Sequence, residues 1–391
     1  MRLPDVHALL ERIPDEDDFD PSLRSATVAA RVGLWLGICF AIAFVTGLIS
    51  HEAQVAHPLL SLPTRPVWLY RVTQGLHVTA GTAAVPLLLV KLWSVFPKLF
   101  ARPPKDPRVL VLHGLERASI AVLVAASIFQ LATGLANSAQ WYPWSFNFKP
   151  THYALAWIAI GALLVHIAVK LPVIRAALGS PIEITDLDRP GTRRPTALSR
   201  RGLVRSAFLA SGVAVVTTAG STVPLLRRVS VFGTRSGGGP QGVPINKSAH
   251  AADVIARALD PGYRLTVVHG PRRVSLSLAD LAALPQVTAV LPIACVEGWS
   301  ANGTWSGVRV RDLMKLVGAT GRDVTVESLQ RHGPYRRTVL PATYADDPLA
   351  LLATRLDGET LAIDHGYPCR LIVPDRPGVL QTKWVARLEV L

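Results

Sequence analysis

The sequence predicts a membrane α-helical bundle of four spans plus a fifth anchor, followed by an α+β, mainly β domain. Half of the 391 residues are hydrophobic and only 17% are charged, which is more apolar than an ordinary soluble protein. Long apolar runs fill the chain up to about residue 227, whereas short apolar runs between turn residues begin near residue 245. We therefore expect one part in lipid and one part in water.

The distribution of charge supports a membrane protein and excludes several other classes. The net charge is +14, yet the residues from 240 onward carry 17 basic and 14 acidic side chains, so the excess lies in the apolar part. Basic residues between apolar runs are typical of cytoplasmic loops. We therefore expect no nucleic-acid partner. Three cysteines, at 39, 295 and 369, provide neither a disulfide framework nor a zinc finger.

Five runs are long enough to cross about 30 Å of hydrocarbon as a helix. They are Val28–Ser50, Trp68–Phe96, Val109–Asn137, His152–Ile174 and Leu203–Leu226. The joints at 97–108 and 170–205 are rich in basic residues and should be cytoplasmic, whereas those at 51–67 and 138–151 should face outward. This arrangement predicts a multi-pass protein of the bacterial cell membrane, embedded in the lipid bilayer, with a cytoplasmic amino terminus. Residues 1–27 should form a solvated acidic cytoplasmic tail.

Four histidines inside these runs need partners, because such a side chain is costly in lipid. His152 and His166 lie 14 residues apart on one helix, so both point from one face about 21 Å apart. That spacing suits two stacked haems, each of which needs a second histidine. We expect His113 to share the depth of His166. His77 is the best partner for His152, although it should lie roughly 10 Å deeper, and His51 is the substitute. Interhelical hydrogen bonds are the alternative role.

The layout of residues 28–175 resembles the di-haem cytochrome b membrane subunits that serve formate dehydrogenases and hydrogenases. The resemblance implies a cytochrome b-like domain with two b haems that exchanges electrons with the quinone pool or another electron carrier. Glu116 and Arg117 lie one turn after His113. They either meet haem propionates or form an interfacial pair at the start of a helix.

Paired arginines precede the fifth run, in the segment SRRGLVR at 199–205. They resemble the twin-arginine export signal, with Leu203 where that signal usually has Phe and Arg205 where it often has Lys. The resemblance implies that the twin-arginine export machinery moves a folded domain across the membrane; ordinary positive-inside arginines are the alternative. No small-residue cleavage site follows, so residues 176–232 should comprise a basic cytoplasmic loop and an uncleaved fifth anchor. The Gly- and Pro-rich stretch 233–244 should be a linker.

The remainder, 245–391, predicts strands at 264–270, 287–298, 324–328, 370–375 and 383–391, and short helices at 252–259 and 308–318. Cys295 ends the second strand and opens the loop CVEGWSANGTW. A thiol that projects from a strand end into such a loop suits a nucleophile or a metal ligand. A buried structural cysteine is the alternative.

Three segments of this domain carry a family resemblance: CVEGWS at 295–300, WSGVRVRDLM at 305–314, and HGYPCRLIVPDRPGVLQTKWVARLEV at 365–390. They resemble the molybdopterin-binding domain of the sulfite oxidase family, above all the small bacterial members related to the periplasmic protein-methionine-sulfoxide reductase catalytic subunit. The resemblance covers essentially all of 245–391. It implies a molybdopterin-dependent oxidoreductase that transfers an oxygen atom to or from a small-molecule oxyanion or sulfoxide outside the membrane.

The resemblance also implies the residues of the site. Cys295 would supply a thiolate to molybdenum, in keeping with the preference of this metal for soft ligands. The pterin and its phosphate would be held by Asn246, His365, Arg370, Gln381 and Lys383. Gln381 departs from the small hydroxyl residue common at its position. Cys369 should only pack the core, and Glu297 either moves a proton or hydrogen-bonds the loop.

Two other classes of function stay open at this point. One is a binding or scaffold protein that has lost molybdenum, which would be purified without metal. The other is a membrane b-haem electron carrier or transporter whose outer domain is not catalytic, which would show a haem spectrum without turnover.

Overall fold

A computed structural model describes residues 14–55, 58–59, 62–223, 226–233 and 239–391. Residues 1–13 of the expected acidic tail and 234–238 of the expected linker lie outside the described residues. The chain divides into two compact units. The helical unit comprises residues 1–45 and 77–218, and the β unit comprises residues 46–76 and 219–391. The first two long helices therefore contribute to both units.

Four helices in the described part of the chain are long and apolar enough to span a membrane, which confirms the first four predicted spans. They are α1 Ala26–Glu52, α2 Leu69–Val95, α3 Pro107–Ser138 and α4 Phe148–Gly179. The start of α3 shows how the sequence sets a boundary: the Asp106 carboxylate accepts hydrogen bonds from two backbone N–H groups of the first turn, and proline occupies the first helical position.

The fifth apolar run forms α5, Arg200–Thr218. It lies outside the set of helices suited to span a membrane, because three arginines occupy its first six residues. Within the helical unit, α5 packs against α1 and α2 through Val204 beside Val28 and Leu87. The Ser211 hydroxyl also donates to the Ala83 carbonyl at 2.9 Å. The fifth anchor stays a prediction.

The acidic segment 14–20 is not the solvated tail that its composition suggested. Glu16–Asp18 form a short 3₁₀ turn capped by Asp15, and the Phe19 ring stacks on Phe100 with centroids 5.2 Å apart. The Arg189 guanidinium donates to the carbonyls of Glu16, Phe19 and Asp20. An aromatic anchor and an arginine that satisfies three carbonyls hold the segment, despite its charge.

Among the described residues, the β unit has ten strands in two sheets, together with four short α-helices. Its strands are β1 Leu265–His269, β2 Arg272–Leu276, β3 Gln286–Ala294, β4 Ser300–Arg309, β5 Val324–Ser328, β6 Arg337–Leu340, β7 Leu351–Leu356, β8 Glu359–Thr360, β9 Arg370–Ile372 and β10 Val385–Val390. Its short helices are α6 Ile255–Ala258, α7 Leu278–Ala283, α8 Val310–Leu316 and α9 Ala342–Ala345. These elements confirm a mainly β, α+β domain.

One sheet has the strand order β2-β1-β10-β5-β6, and the other has the order β3-β4-β7-β8 with β9 paired to β7. The pair β1–β10 is parallel, and the two strands are far apart in sequence. The hairpin β3–β4 runs in continuous register from Gln286↔Val308 to Ala294↔Ser300. This hairpin corrects the predicted loop, because residues 301–305 alternate between buried and more exposed positions and pair with β3 instead of remaining irregular.

Candidate functional site

The turn between β3 and β4 presents Cys295. The Cys295 N–H donates to the Trp299 carbonyl at 2.9 Å, and the Gly298 N–H donates to the Cys295 carbonyl at 3.1 Å. Gly298 has φ of 87°, a conformation that favours glycine. This turn, residues 295–299, is called the Cys295 loop below. It buries the cysteine, which is 1% exposed, at the end of the sheet.

A cleft at this sheet end brings together four of the residues expected at the site. It is lined by Pro244, Ile245, Asn246, Ile293, Cys295, Trp299, Arg370, Gly378 and Lys383. Gly378 allows the close approach of the chain, since a Cβ there would lie 3.2 Å from the Ala294 carbonyl oxygen. The cleft therefore joins one thiol, two cationic side chains and one carboxamide.

Arg370 is a buried cation without a carboxylate partner among the described residues. It is 5% exposed, its Nη1 donates to the His365 carbonyl at 3.2 Å, and its Nε has no hydrogen-bond partner in the described structure. The guanidinium also lies over the Trp305 ring, 5.4 Å from its centroid. Burial lowers the pKa of Arg370 to about 9, partly offset by Cys295. The site thus holds a desolvated positive charge next to the thiol.

Lys383 adds a second buried cation. Its ammonium donates to the Asp364 carbonyl at 3.0 Å and to the Lys247 carbonyl, and it lies over the Trp384 ring. Burial, together with the charge of Arg370, lowers the pKa of Lys383 to about 7. An anion in the cleft would reverse that shift, because an opposite charge favours the protonated amine.

His365 is fully buried behind Arg370 and is neutral at neutral pH, since burial and then the charge of Arg370 lower its pKa to about 4. Its Nε2 lies 2.6 Å from the Pro240 carbonyl oxygen. A carbonyl only accepts, so Nε2 carries the proton and Nδ1 is left as an acceptor. Nδ1 is buried and has no partner in the described part of the chain.

The structure places two further residues that the sequence singled out. Gln381 does not line the cleft; its amide donates to the Arg376 carbonyl at 3.0 Å and so ties together the segment before it. Glu297 accepts a hydrogen bond from the Trp299 indole at 3.1 Å, which favours its role of stabilising the Cys295 loop. Sequence reasoning missed Trp299 and Gly378 as lining residues. The signal for both was present, since each belongs to a segment already singled out by its motif.

Comparison with known proteins decides the identity of this domain. Residues 252–391 match the oxidoreductase molybdopterin binding domain. This part of the chain is a molybdopterin-binding oxidoreductase domain.

Relatives support the same assignment. A protein of Azospira oryzae named "Putative protein-methionine-sulfoxide reductase subunit YedZ1" is 38% identical over 114 residues, which is 29% of this chain and 43% of the relative. The sulfite oxidase of Arabidopsis thaliana is 26% identical over 32% of this chain and 40% of its own length. Human mitochondrial sulfite oxidase is 31% identical over 34% of this chain and 30% of its own length. The chain thus spans less than half the length of each of these relatives.

The cleft of the molybdopterin domain has the donors and acceptors that its cofactor needs. Arg370 and Lys383 offer N–H donors and positive charge to a phosphate, whereas the expected site residue His365 is fully buried and does not line the cleft. The Arg370 Nε is buried without a partner among the described residues and is available to a ligand in the cleft. The Cys295 thiol supplies the soft donor. The residues therefore fit a phosphorylated pterin with a thiolate-bound metal.

Within the helical unit, two of the four singled-out histidines meet. The rings of His77 and His152 lie 6.3 Å apart between centroids, nearly perpendicular to each other. His77 Nδ1 lies 2.8 Å from the Ala43 carbonyl oxygen and therefore carries the proton, while His152 Nδ1 lies 3.4 Å from the Thr133 hydroxyl. The two rings meet although their expected depths differ by roughly 10 Å. Part of the reason is that α4 begins four residues before His152, which places this histidine about 6 Å deeper than expected.

The other two histidines are offset from each other. Gln130 Nε2 donates to the His152 carbonyl, and Glu116 forms an ion pair with Lys170. These contacts set the antiparallel register of α3 and α4, in which His113 is level with residues 169–173. It is therefore about 5–10 Å away from His166 along the helix axis. His113 Nε2 is nevertheless buried with no partner among the described residues.

The charged pair beside His113 has ordinary structural partners. Glu116 pairs with Lys170 of the neighbouring helix. Arg117 donates to the carbonyls of Lys98, Leu99 and Ala101, which satisfies the end of the 3₁₀ turn Phe96–Phe100. These contacts favour a role at the helix boundary for both residues.

Proposed function

We propose that this chain is a membrane-anchored molybdenum oxidoreductase that transfers an oxygen atom to or from a small oxyanion or sulfoxide outside the membrane. The observation that carries the proposal is the cleft that joins Cys295 with Asn246, Arg370 and Lys383 in a molybdopterin-binding domain. When bound, the molybdenum cofactor supplies two-electron oxygen-atom transfer. The quinone pool, or another electron carrier, would exchange electrons with the membrane part.

Different residues of the cleft would hold different parts of the cofactor. Cys295 would hold the metal, because a thiolate is its soft ligand. Arg370 and Lys383 would bind the phosphate, where their charges are compensated, and Asn246 would orient the pterin by its amide. Trp305 and Trp384 cover the two cations from their apolar sides and exclude water from them. His365 stays neutral at neutral pH, so its Nδ1 would accept a hydrogen bond from the cofactor.

The experiment combines metal analysis with two opposed assays on the detergent-purified full chain. We expect molybdenum and pterin in equal amounts, with either sulfite oxidation by an artificial electron acceptor or reduction of methionine sulfoxide by a reduced viologen dye. The two assays separate the activities named for the relatives. Cys295→Ser should keep the fold but lose more than about 99% of turnover, because a hydroxyl is a harder and much less acidic donor. A molybdenum-loaded serine variant with parental turnover would refute the assignment of Cys295.

We also propose that one b-type haem iron is held between His77 and His152. An imidazole nitrogen binds a transition metal at about 2 Å, and rings 6.3 Å apart leave that space between two ring nitrogens. The Nδ1 hydrogen bond of His77 to a carbonyl is the usual support of a metal-binding imidazole. A haem supplies one-electron transfer at such a site. The register of α3 and α4 gives His113 and His166 less support as ligands of a second, shared iron.

Haem content of single variants tests this proposal. His77→Ala and His152→Ala should each remove the same b-type absorbance, since two axial nitrogens are needed per iron. His113→Ala and His166→Ala are the matched controls; they leave that signal intact and report whether a second haem exists. A chain purified without haem absorbance, or one in which both His77 and His152 are dispensable, would contradict the proposal.

A test of export by the twin-arginine machinery must spare Arg200, because this residue has a structural role of its own. Its guanidinium donates to the carbonyls of Ser22, Ile182 and Ile184, so its replacement perturbs the fold. Arg201 has a side chain that is 65% exposed and pairs only loosely with Glu183 at 3.7 Å. Arg201→Lys keeps charge and fold and should leave the molybdopterin domain protected from protease in intact spheroplasts. Parental protease sensitivity of Arg201→Lys would oppose this export route.

A further inference from the structure

The Cys295 loop contacts the amino-terminal turns of α2 inside the β unit. Gln74 of α2 donates through Nε2 to the Val296 carbonyl at 3.3 Å, directly after the cysteine. We propose that Gln74 is a positioning residue, which holds the Cys295 loop so that the thiol faces the cleft. This inference rests on the proposed function for its purpose, since the thiol is the group that would hold molybdenum.

The Gln74 side chain has one orientation because its other end is occupied. The residue is 4% exposed, and its Oε1 accepts a hydrogen bond from the Ser50 hydroxyl at 2.9 Å. The Tyr70 phenol lies 3.1 Å from the same hydroxyl. Ser50 belongs to α1, so two helices fix the amide of Gln74. Because Oε1 is an acceptor already bound to Ser50, Nε2 is the group that faces the loop.

The opposite side of the loop is held by Thr222. Its hydroxyl donates to the Gly298 carbonyl, and its carbonyl accepts from the Ser300 hydroxyl at 3.2 Å. This arrangement depends on the residue next to Gln74. A Cβ on Gly75 would lie 2.8 Å from Thr222 Cγ2, which is too close for any carbon pair. The sequence Gln-Gly in α2 therefore supplies a donor on one side and admits Thr222 on the other.

Within the β unit, other contacts join the same end of α2 and the residues before it to residues 347 and 375 without touching the loop. Arg65 forms a two-pronged ion pair with Asp347 at 2.9 and 3.0 Å, and the Tyr70 N–H donates to the Asp375 carboxylate. Loss of the Gln74 amide would leave these contacts in place. Its removal should therefore free the loop while the helix end stays docked.

Thiol reactivity tests the positioning directly and does not require bound cofactor. The full chain is purified cofactor-free with Cys39 and Cys369 replaced by alanine, and Cys295 is labelled with a small maleimide. Gln74→Met should raise the labelling rate about tenfold, because one hydrogen bond of ordinary strength changes a local opening equilibrium by about that factor. Gly75→Ala should raise the rate in the same direction by displacing Thr222. Tyr70→Phe, which removes a hydroxyl from the same network but not from the loop, should stay within about twofold.

A second readout uses the loaded protein. The Mo(V) electron paramagnetic resonance signal of partly reduced Gln74→Met should differ in line shape from that of the parent, whereas Tyr70→Phe should match the parent. Parental labelling rates in both Gln74→Met and Gly75→Ala would overturn the positioning role. A parent chain that never holds molybdenum would instead defeat the proposed function and leave the labelling result valid.

Discussion

Two buried arginines, one in each unit, differ in how far other residues of the chain satisfy their charge. Both Arg200 in the helical unit and Arg370 in the β unit are 5% exposed. Arg200 donates to three carbonyls and forms an ion pair with the buried Asp188 carboxylate. Arg370 donates to one carbonyl and leaves Nε without a partner in the described structure.

This difference distinguishes a cation of a cofactor site from a cation that only stabilises the fold. Burial of a charge is costly unless it is paired and hydrogen-bonded. The fold meets that cost at Arg200 with its own groups. At Arg370 and Lys383 the described part of the fold supplies no carboxylate to offset that cost. Both cations face a cleft that also contains a thiol. The missing compensation is what an anionic group of the ligand would supply.

The largest difference should appear when each arginine is replaced by methionine. Arg200→Met removes the buried partner of the Asp188 carboxylate, which keeps only the half-exposed Arg193, and it also removes the donor of three carbonyls. It should lower the free energy of unfolding by about 3–5 kcal/mol. Arg370→Met removes an uncompensated charge and should be neutral or slightly stabilising in cofactor-free protein. Thermal unfolding of both variants, purified without cofactor, measures the contrast.

The two substitutions should affect cofactor content in the opposite order from their effects on stability. Molybdenum content should collapse in Arg370→Met, while the folded fraction of Arg200→Met should keep the parental content. Equal destabilisation by the two substitutions, or full molybdenum content in Arg370→Met, would mean that Arg370 is also a structural cation.

Lys383 should give a smaller, pH-dependent effect. Its folded-state pKa of about 7 lies below the ordinary lysine value, so the unfolded chain binds the extra proton above pH 7. Stability of cofactor-free protein should therefore rise with pH, by about 2 kcal/mol between about pH 7 and 9. The stability of Lys383→Met should not show this rise with pH. Unfolding midpoints across that range check it, and parallel pH profiles of parent and variant would oppose it.

Much of the cleft could be predicted because five of its nine lining residues lie in two of the quoted segments, 295–300 and 365–390. Cys295, Arg370 and Lys383 were identified from the strings that surround them, and the structure brings them together. Gln381 lies within one of those strings yet turns away, because its amide serves carbonyls of its own segment. A motif indicates which segment reaches a site, but side-chain direction depends on contacts within the fold.

The histidines show a second limit of sequence reasoning. An apolar run marks where a helix enters lipid, not where the helix begins. The segment Phe148–Thr151 contains lysine and proline, so it lies outside the predicted apolar run. It nevertheless forms the first turn of α4. The depth of His152 was therefore misjudged by one turn. For His113 and His166, register was set by the polar contacts of Gln130 and Glu116, which periodicity does not reveal.

The smallest effect should come from the other buried cysteine of the β unit. Cys369 is fully buried, with its sulfur 3.1 Å from the Tyr263 hydroxyl, and burial raises its pKa to about 12, so it remains a thiol. The Tyr263 hydroxyl also donates to the Val385 carbonyl, so loss of the sulfur strands no polar group. Cys369→Ala should cost about 1 kcal/mol for the small cavity and leave molybdenum content unchanged. Chemical denaturation and metal analysis measure both, and a loss of turnover here comparable to that expected for Cys295→Ser would show that the two thiols share one site.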